Sequence, residues 1–78
     1  MKTEEKIKAI LSEIFDINVN EISDETSLHS VEKWDSLSHM MLIVALEMEF
    51  KIKFDDVEIP TLIDYSIITA TIQAYIED

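Results

Sequence analysis

The sequence predicts an all-α protein: a small four-helix bundle, three long helices plus one short helix, with a long loop between helices one and two. Three observations lead there. Apolar residues recur at helical spacing in three separate stretches. Glycine is absent and proline occurs once, so any turn needing positive φ falls to Asn or Asp. Residues 17–34 lack either helical or strand periodicity. A chain of 78 residues has room for one domain, residues 1–78, with a modest core.

Helix one is expected over about residues 3–16. Thr3 can cap it, Glu4 and Glu5 suit its positive end, and Ile7, Ile10, Leu11 and Ile14 repeat along one face. Asn18 is the expected left-handed stop. In the long loop, Ile17, Val19, Ile22, Leu28 and Val31 are spaced as anchors across a core. Ser23 to Ser27 reads as a turn, and Trp34 is placed to clamp the loop's end.

Helix two is expected over about 36–50, with Asp35 as its N-cap. At 100° per residue it is apolar on two opposite sides. Leu42, Ile43, Leu46 and Phe50 share one side with His39; Leu37, Met40, Met41, Val44 and Met48 share the other. So short a chain cannot sandwich a helix on both sides, so one side is core and the other is kept for a partner. Ser36 stands at the helix tip beside the second stripe. After it, Phe54 and Ile59 are anchors, and Asp55 caps one short turn that Pro60 cuts off. Asp64 caps the last helix, Ile63 and Ile68 have the spacing of a hydrophobic staple, and Tyr65, Ile68, Ile72 and Ile76 line its buried face.

Composition bounds the function. Six basic against 17 acidic residues give a formal charge of −11, which argues against nucleic acid and anionic membranes and favours partners with basic surfaces. The same charge also serves solubility. No cysteine is present, so neither disulfide nor thiolate chemistry is available from the chain. The N-terminal stretch is no signal peptide, and the longest apolar run, Met40 to Leu46, is far short of a membrane span. A cytoplasmic monomer is expected.

Several chemistries lack their parts. Without glycine there is no phosphate-cradling loop. Asp55, Asp56 and Glu58 read as a solvated acidic turn rather than a calcium loop. His29 and His39 have no metal-ligand partners in register, so no metal is expected. Asp35, Ser36 and His39 form a nominal hydrolase triad, but the acid neighbours the nucleophile instead of orienting the base. No catalytic residue is assigned. What remains is modification of Ser36 by another enzyme, since a first-turn hydroxyl is exposed and the helix N-terminus favours an attached phosphate. The alternative is an unmodified acidic adaptor that binds a protein through the Met-rich face of helix two.

These residues resemble the acyl carrier proteins, the phosphopantetheine-binding domains of fatty acid, polyketide and peptide biosynthesis. Asp35-Ser36-Leu37 looks like the family's attachment motif, L-I-V-A-L-E-M-E-F (42–50) looks like its second helix, and the A-Y-I near the end fits its last. The resemblance implies a non-enzymatic carrier. Ser36 would hold 4′-phosphopantetheine, transferred from coenzyme A by a phosphopantetheinyl transferase. The arm's thiol would carry acyl or aminoacyl groups as thioesters. Asp35 would help position Ser36 in the transferase. Leu37, Met40, Met41, Val44 and Glu47 would meet partner enzymes, which include a loading ligase and downstream transferases or condensing enzymes. Leu42, Ile43, Leu46 and Phe50 would face inward, toward a channel sheltering the cargo. Lys33 and Trp34 stand where many members have glycine and a small residue, and Met41 stands where fatty acid carriers have an acid. Lys51 and Lys53 also make the end of helix two less acidic. These departures point to a specialised discrete carrier of a secondary-metabolite, polysaccharide or aminoacyl pathway.

Overall fold

The three periodic stretches form three α-helices in the computed structural model, which describes residues 2–77: α1 (Lys2–Phe15), α2 (Ser36–Phe50) and α3 (Tyr65–Glu77). Helix α1 packs against both α2 and α3. Its buried face is Ile7, Leu11 and Phe15, which meet Leu42, Ile43 and Leu46 of α2 and Tyr65, Ile68 and Ile72 of α3 in one core. Thr3 lies inside the first turn of α1 rather than capping it.

Without glycine, two helices still end in left-handed geometry. Asp16 and Lys51 both take φ 57°. In each case the residue after it donates backward across the turn: Ile17 N–H to Ser12 O at 3.3 Å, and Ile52 N–H to Glu47 O at 3.1 Å. Both are Schellman closures that satisfy otherwise unpaired carbonyls. The stop for α1 is therefore Asp16, not Asn18. Asn18 keeps φ −71° and caps a 3-10 turn, Val19–Glu21, by accepting from Asn20 N–H at 2.9 Å. Both residues are short and polar enough to fill either role, so local propensity does not separate them.

The long loop is anchored rather than free. Ile22 and Val31 are buried, and Ile17 and Leu28 pack against the core from its edge. Val19 is 43% exposed, because it opens the 3-10 turn on the solvent side. Main-chain bonds pin the loop to the segment before α3: Leu28 N–H to Ile63 O at 2.8 Å and Tyr65 N–H to Thr26 O at 2.9 Å. They flank an isolated antiparallel bridge between Ser27 and Asp64, and no strand forms among the described residues.

The short element is built from two consecutive turns. Glu58 N–H reaches Asp55 O and Thr61 N–H reaches Glu58 O, both at 2.9 Å. The second is a 3-10 turn, Ile59–Thr61, and Pro60 sits inside it instead of ending it. Proline has no N–H to lose and its fixed φ suits an early helical position. Glu58 Oε1 accepts from Asp55 N–H at 3.1 Å and from the Tyr75 hydroxyl, tying these turns to α3. Phe54 meets Tyr75 edge-on with ring centres 5.5 Å apart. Asp64 caps α3 as expected, its Oδ1 accepting from Ile67 N–H at 2.8 Å. Ile68 is fully buried but Ile76 is 40% exposed, since the last turn of α3 runs past the core.

Candidate functional site

Helix α2 starts where the sequence placed it, and its first turn is held by a reciprocal cap. Asp35 is extended (φ −117°, ψ −172°), and its Oδ1 accepts from Ser38 N–H at 3.0 Å. Ser38 Oγ accepts from Asp35 N–H at 2.9 Å and lies 2.6 Å from Lys33 O. The Ser38 backbone N–H, and then the Ser38 hydroxyl, hold the Asp35 carboxyl below its ordinary value. Two serines of one turn thus have different roles. Ser38 closes the cap. Ser36 is exposed and takes no part in it.

Behind that turn stands a bracket the sequence did not reveal. Trp34 is buried and stacked on Phe15, with ring centres 4.7 Å apart. Its indole N–H donates to His39 Nδ1 at 3.0 Å. Nδ1 therefore accepts, which leaves the proton on Nε2 to be donated to Ile59 O at 2.8 Å. Both imidazole nitrogens are thus committed away from Ser36. His39 cannot act as its base, and Asp35 caps the helix instead of orienting His39. The nominal triad is not assembled. Among the described residues no cluster of His, Asp or Glu could hold a metal ion.

Ser36 opens onto a cleft of roughly 340 Å³ lined by Leu28, His39, Met40, Ile59, Pro60 and Ile63, with Asp35 at its rim. Along the outer side of α2 runs a shallow groove of Leu37, Met40, Met41, Val44, Ala45 and Met48. Leu37 and Met48 are 74% exposed, and Met40, Met41 and Val44 about half exposed, so the second stripe does face solvent. Leu42, Ile43 and Leu46 are fully buried and Phe50 partly. Met40 borders both cleft and groove. Glu47, which the resemblance grouped with Leu37, Met40, Met41 and Val44, has a contact they lack: its Oε2 accepts from Phe54 N–H at 2.9 Å, which ties down the segment after α2.

The residues present fit a phosphodiester-linked arm. An exposed hydroxyl stands at the positive end of a 15-residue helix, the nearest carboxylate is already satisfied by a backbone N–H, and a mainly apolar cleft begins alongside. The model of the phosphopantetheine attachment site family matches residues 5–66, from the first helix to the start of the third. The chain belongs to that family, whose domains carry covalent 4′-phosphopantetheine. Such carrier domains work with the transferases that modify them and with biosynthetic enzymes, and are generally not catalytic themselves. No curated protein matches the chain. No helix among the described residues is long and apolar enough to cross a membrane.

Proposed function

We propose that this protein is an acyl carrier whose 4′-phosphopantetheine is joined to Ser36 Oγ. The observation that carries the reading is the division of labour between Ser36 and Ser38. The cap is complete through Asp35 and Ser38, so the Ser36 hydroxyl is free for a visiting enzyme. When attached, the group supplies the thiol this cysteine-free chain lacks, and an acyl or aminoacyl cargo is held there as a thioester. The chain's own part is to present Ser36 on a rigid helix start, to keep Asp35 ionised beside it, and to offer the Leu37, Met40, Met41 and Val44 face for docking. Glu47 lies at the edge of that face and serves mainly the fold.

The protein functions as a single cytoplasmic domain, and the 3-10 turn at Ile59–Thr61 takes the place of the short helix of an acyl-carrier bundle. Met41 and the absence of free acids on the α2 face favour a specialised discrete pathway over housekeeping fatty acid synthesis. The test is intact mass analysis of the protein purified from its own cell with thioesters preserved. One phosphopantetheine mapped to the peptide containing Ser36, with or without a hydroxylamine-labile acyl group, supports the proposal. A group mapped to any other residue overturns it.

A further inference from the structure

The cleft beside Ser36 is crossed by a hydrogen bond. His39 and Ile59 both line it, and the 2.8 Å contact from the imidazole to the Ile59 carbonyl joins α2 to the 3-10 turn. Trp34 does not line the cleft. It is buried, bonded to the other imidazole nitrogen and stacked on Phe15 of the core. Phe15, Leu42, Ile43 and Leu46 are each no more than 2% exposed, and none of them reaches the cleft. The imidazole is thus a crossbar with the open cleft on one side and filled core on the other.

Resting on the assignment of Ser36 above, we propose that His39 bars the bundle interior to the cargo, and that the cargo is a short or polar acyl group of up to about six carbons, held in water. The family resemblance implies a sheltering channel along Leu42, Ile43 and Leu46. In this chain a hydrocarbon entering from Ser36 must part His39 from Ile59, which leaves a carbonyl unpaired, and a ring that swings aside also strands the buried indole N–H. The chain must then displace side chains packed at interior density. A few methylenes recover too little by burial to offset both losses. A long alkyl cargo kept outside would leave its whole length in water, whereas a short, hydroxylated or amino-bearing cargo is at ease there. His39 is therefore a specificity-determining residue that acts by exclusion.

The test loads the full-length apo protein from acetyl- and hexanoyl-coenzyme A with a transferase that accepts acylated coenzyme A. Cleavage of each thioester by hydroxylamine is followed by intact mass, with free acetyl- and hexanoyl-pantetheine as reference rates. In wild type both thioesters are expected to be cleaved within about twofold of their references, because no sheltered state is populated. Trp34 emission is expected to be the same in the two loaded forms. In His39→Ala, where a void replaces the crossbar, the hexanoyl thioester is expected to be protected by about fivefold or more and the acetyl thioester to stay unprotected. His39→Gln keeps a donor and an acceptor and is expected to follow wild type. Hexanoyl protection of about fivefold in wild type, or a folded His39→Ala that protects neither chain, overturns the inference and leaves Ser36 as the attachment point. The wild-type comparison alone decides if His39→Ala does not fold. A wild type that gains no mass from either coenzyme A thioester removes the Ser36 assignment and this inference with it.

Discussion

The indole N–H of Trp34 donates to His39 Nδ1 at 3.0 Å, and the other nitrogen of the same ring reaches the carbonyl of Ile59 at 2.8 Å. One imidazole thus joins the end of the long loop, the first turn of α2 and the 3-10 turn across the cleft. Without it, a buried indole N–H and a carbonyl lose their partners. His39→Ala is expected to lower stability by about 1–3 kcal/mol. It should also shift the emission of Trp34, the single tryptophan, toward that of a solvated indole. His39→Gln, which offers both an acceptor and a donor, should recover part of the loss. Urea melts followed by fluorescence check this; an Ala variant as stable as wild type would show that the bracket carries no weight.

The two stripes of α2 should respond differently to mutation. Leu42 is fully buried, so Leu42→Ala is expected to cost about 2–5 kcal/mol. Val44→Arg and Met48→Ala change exposed positions and are expected to stay within about 0.5 kcal/mol. Val44→Arg should nevertheless slow modification by the transferase. Thermal melts and turnover measured on the same preparations separate the two effects. A large stability loss at Val44 would mean the face is structural.

The acid side of the stability profile should carry a contribution from Asp35. Its carboxyl is held below the ordinary 3.8, first by the Ser38 N–H and then by the Ser38 hydroxyl. A depressed folded value gives stabilisation that is complete above the unfolded value and is lost as pH falls through the folded one. Asparagine caps a helix but carries no charge. Wild type should therefore exceed Asp35→Asn at neutral pH, with the gap closing below about pH 4. Urea midpoints of both proteins across that range report it. A gap that persists in acid would assign the difference to geometry rather than charge.

Lys51 holds φ 57° with a β-carbon present. Left-handed geometry costs a non-glycine residue about 1–2 kcal/mol, while glycine adds unfolded-state entropy worth about 0.4–1 kcal/mol. Lys51→Gly should therefore gain about 0.5–1 kcal/mol in a chain that uses no glycine at all. Chemical denaturation reads this directly; a loss would mean that the Lys51 side chain makes a contribution larger than the strain.

Much of the architecture was legible because it rests on local rules. The opposed stripes of α2, its Asp35 cap and the Asp64 cap of α3 depend on spacing and on one side chain each, and all lie where the pattern put them. What escaped depends on distant parts of the chain meeting. Nothing in the residues around Trp34 says that its indole will find His39, or that His39 will find a carbonyl 20 positions away. Glu47 shares the outer edge of α2 by angle alone, yet the chain returning at Phe54 takes its carboxylate. Ser38 left a faint signal, a second hydroxyl three residues after Asp35, which is the spacing of a reciprocal cap. Asp16 and Asn18 compete on equal local terms; the chain turns left-handed at Asp16, and Ile17 just after it packs against the core.

The central claim is that Ser36, and not its capping neighbour, is the tether. Apo wild type, Ser36→Ala and Ser38→Ala are incubated with coenzyme A and a phosphopantetheinyl transferase, and their intact masses are read. The account predicts that wild type and Ser38→Ala each gain one phosphopantetheine and that Ser36→Ala, still folded, gains none. A modified Ser36→Ala, or a wild type left unchanged, would contradict it.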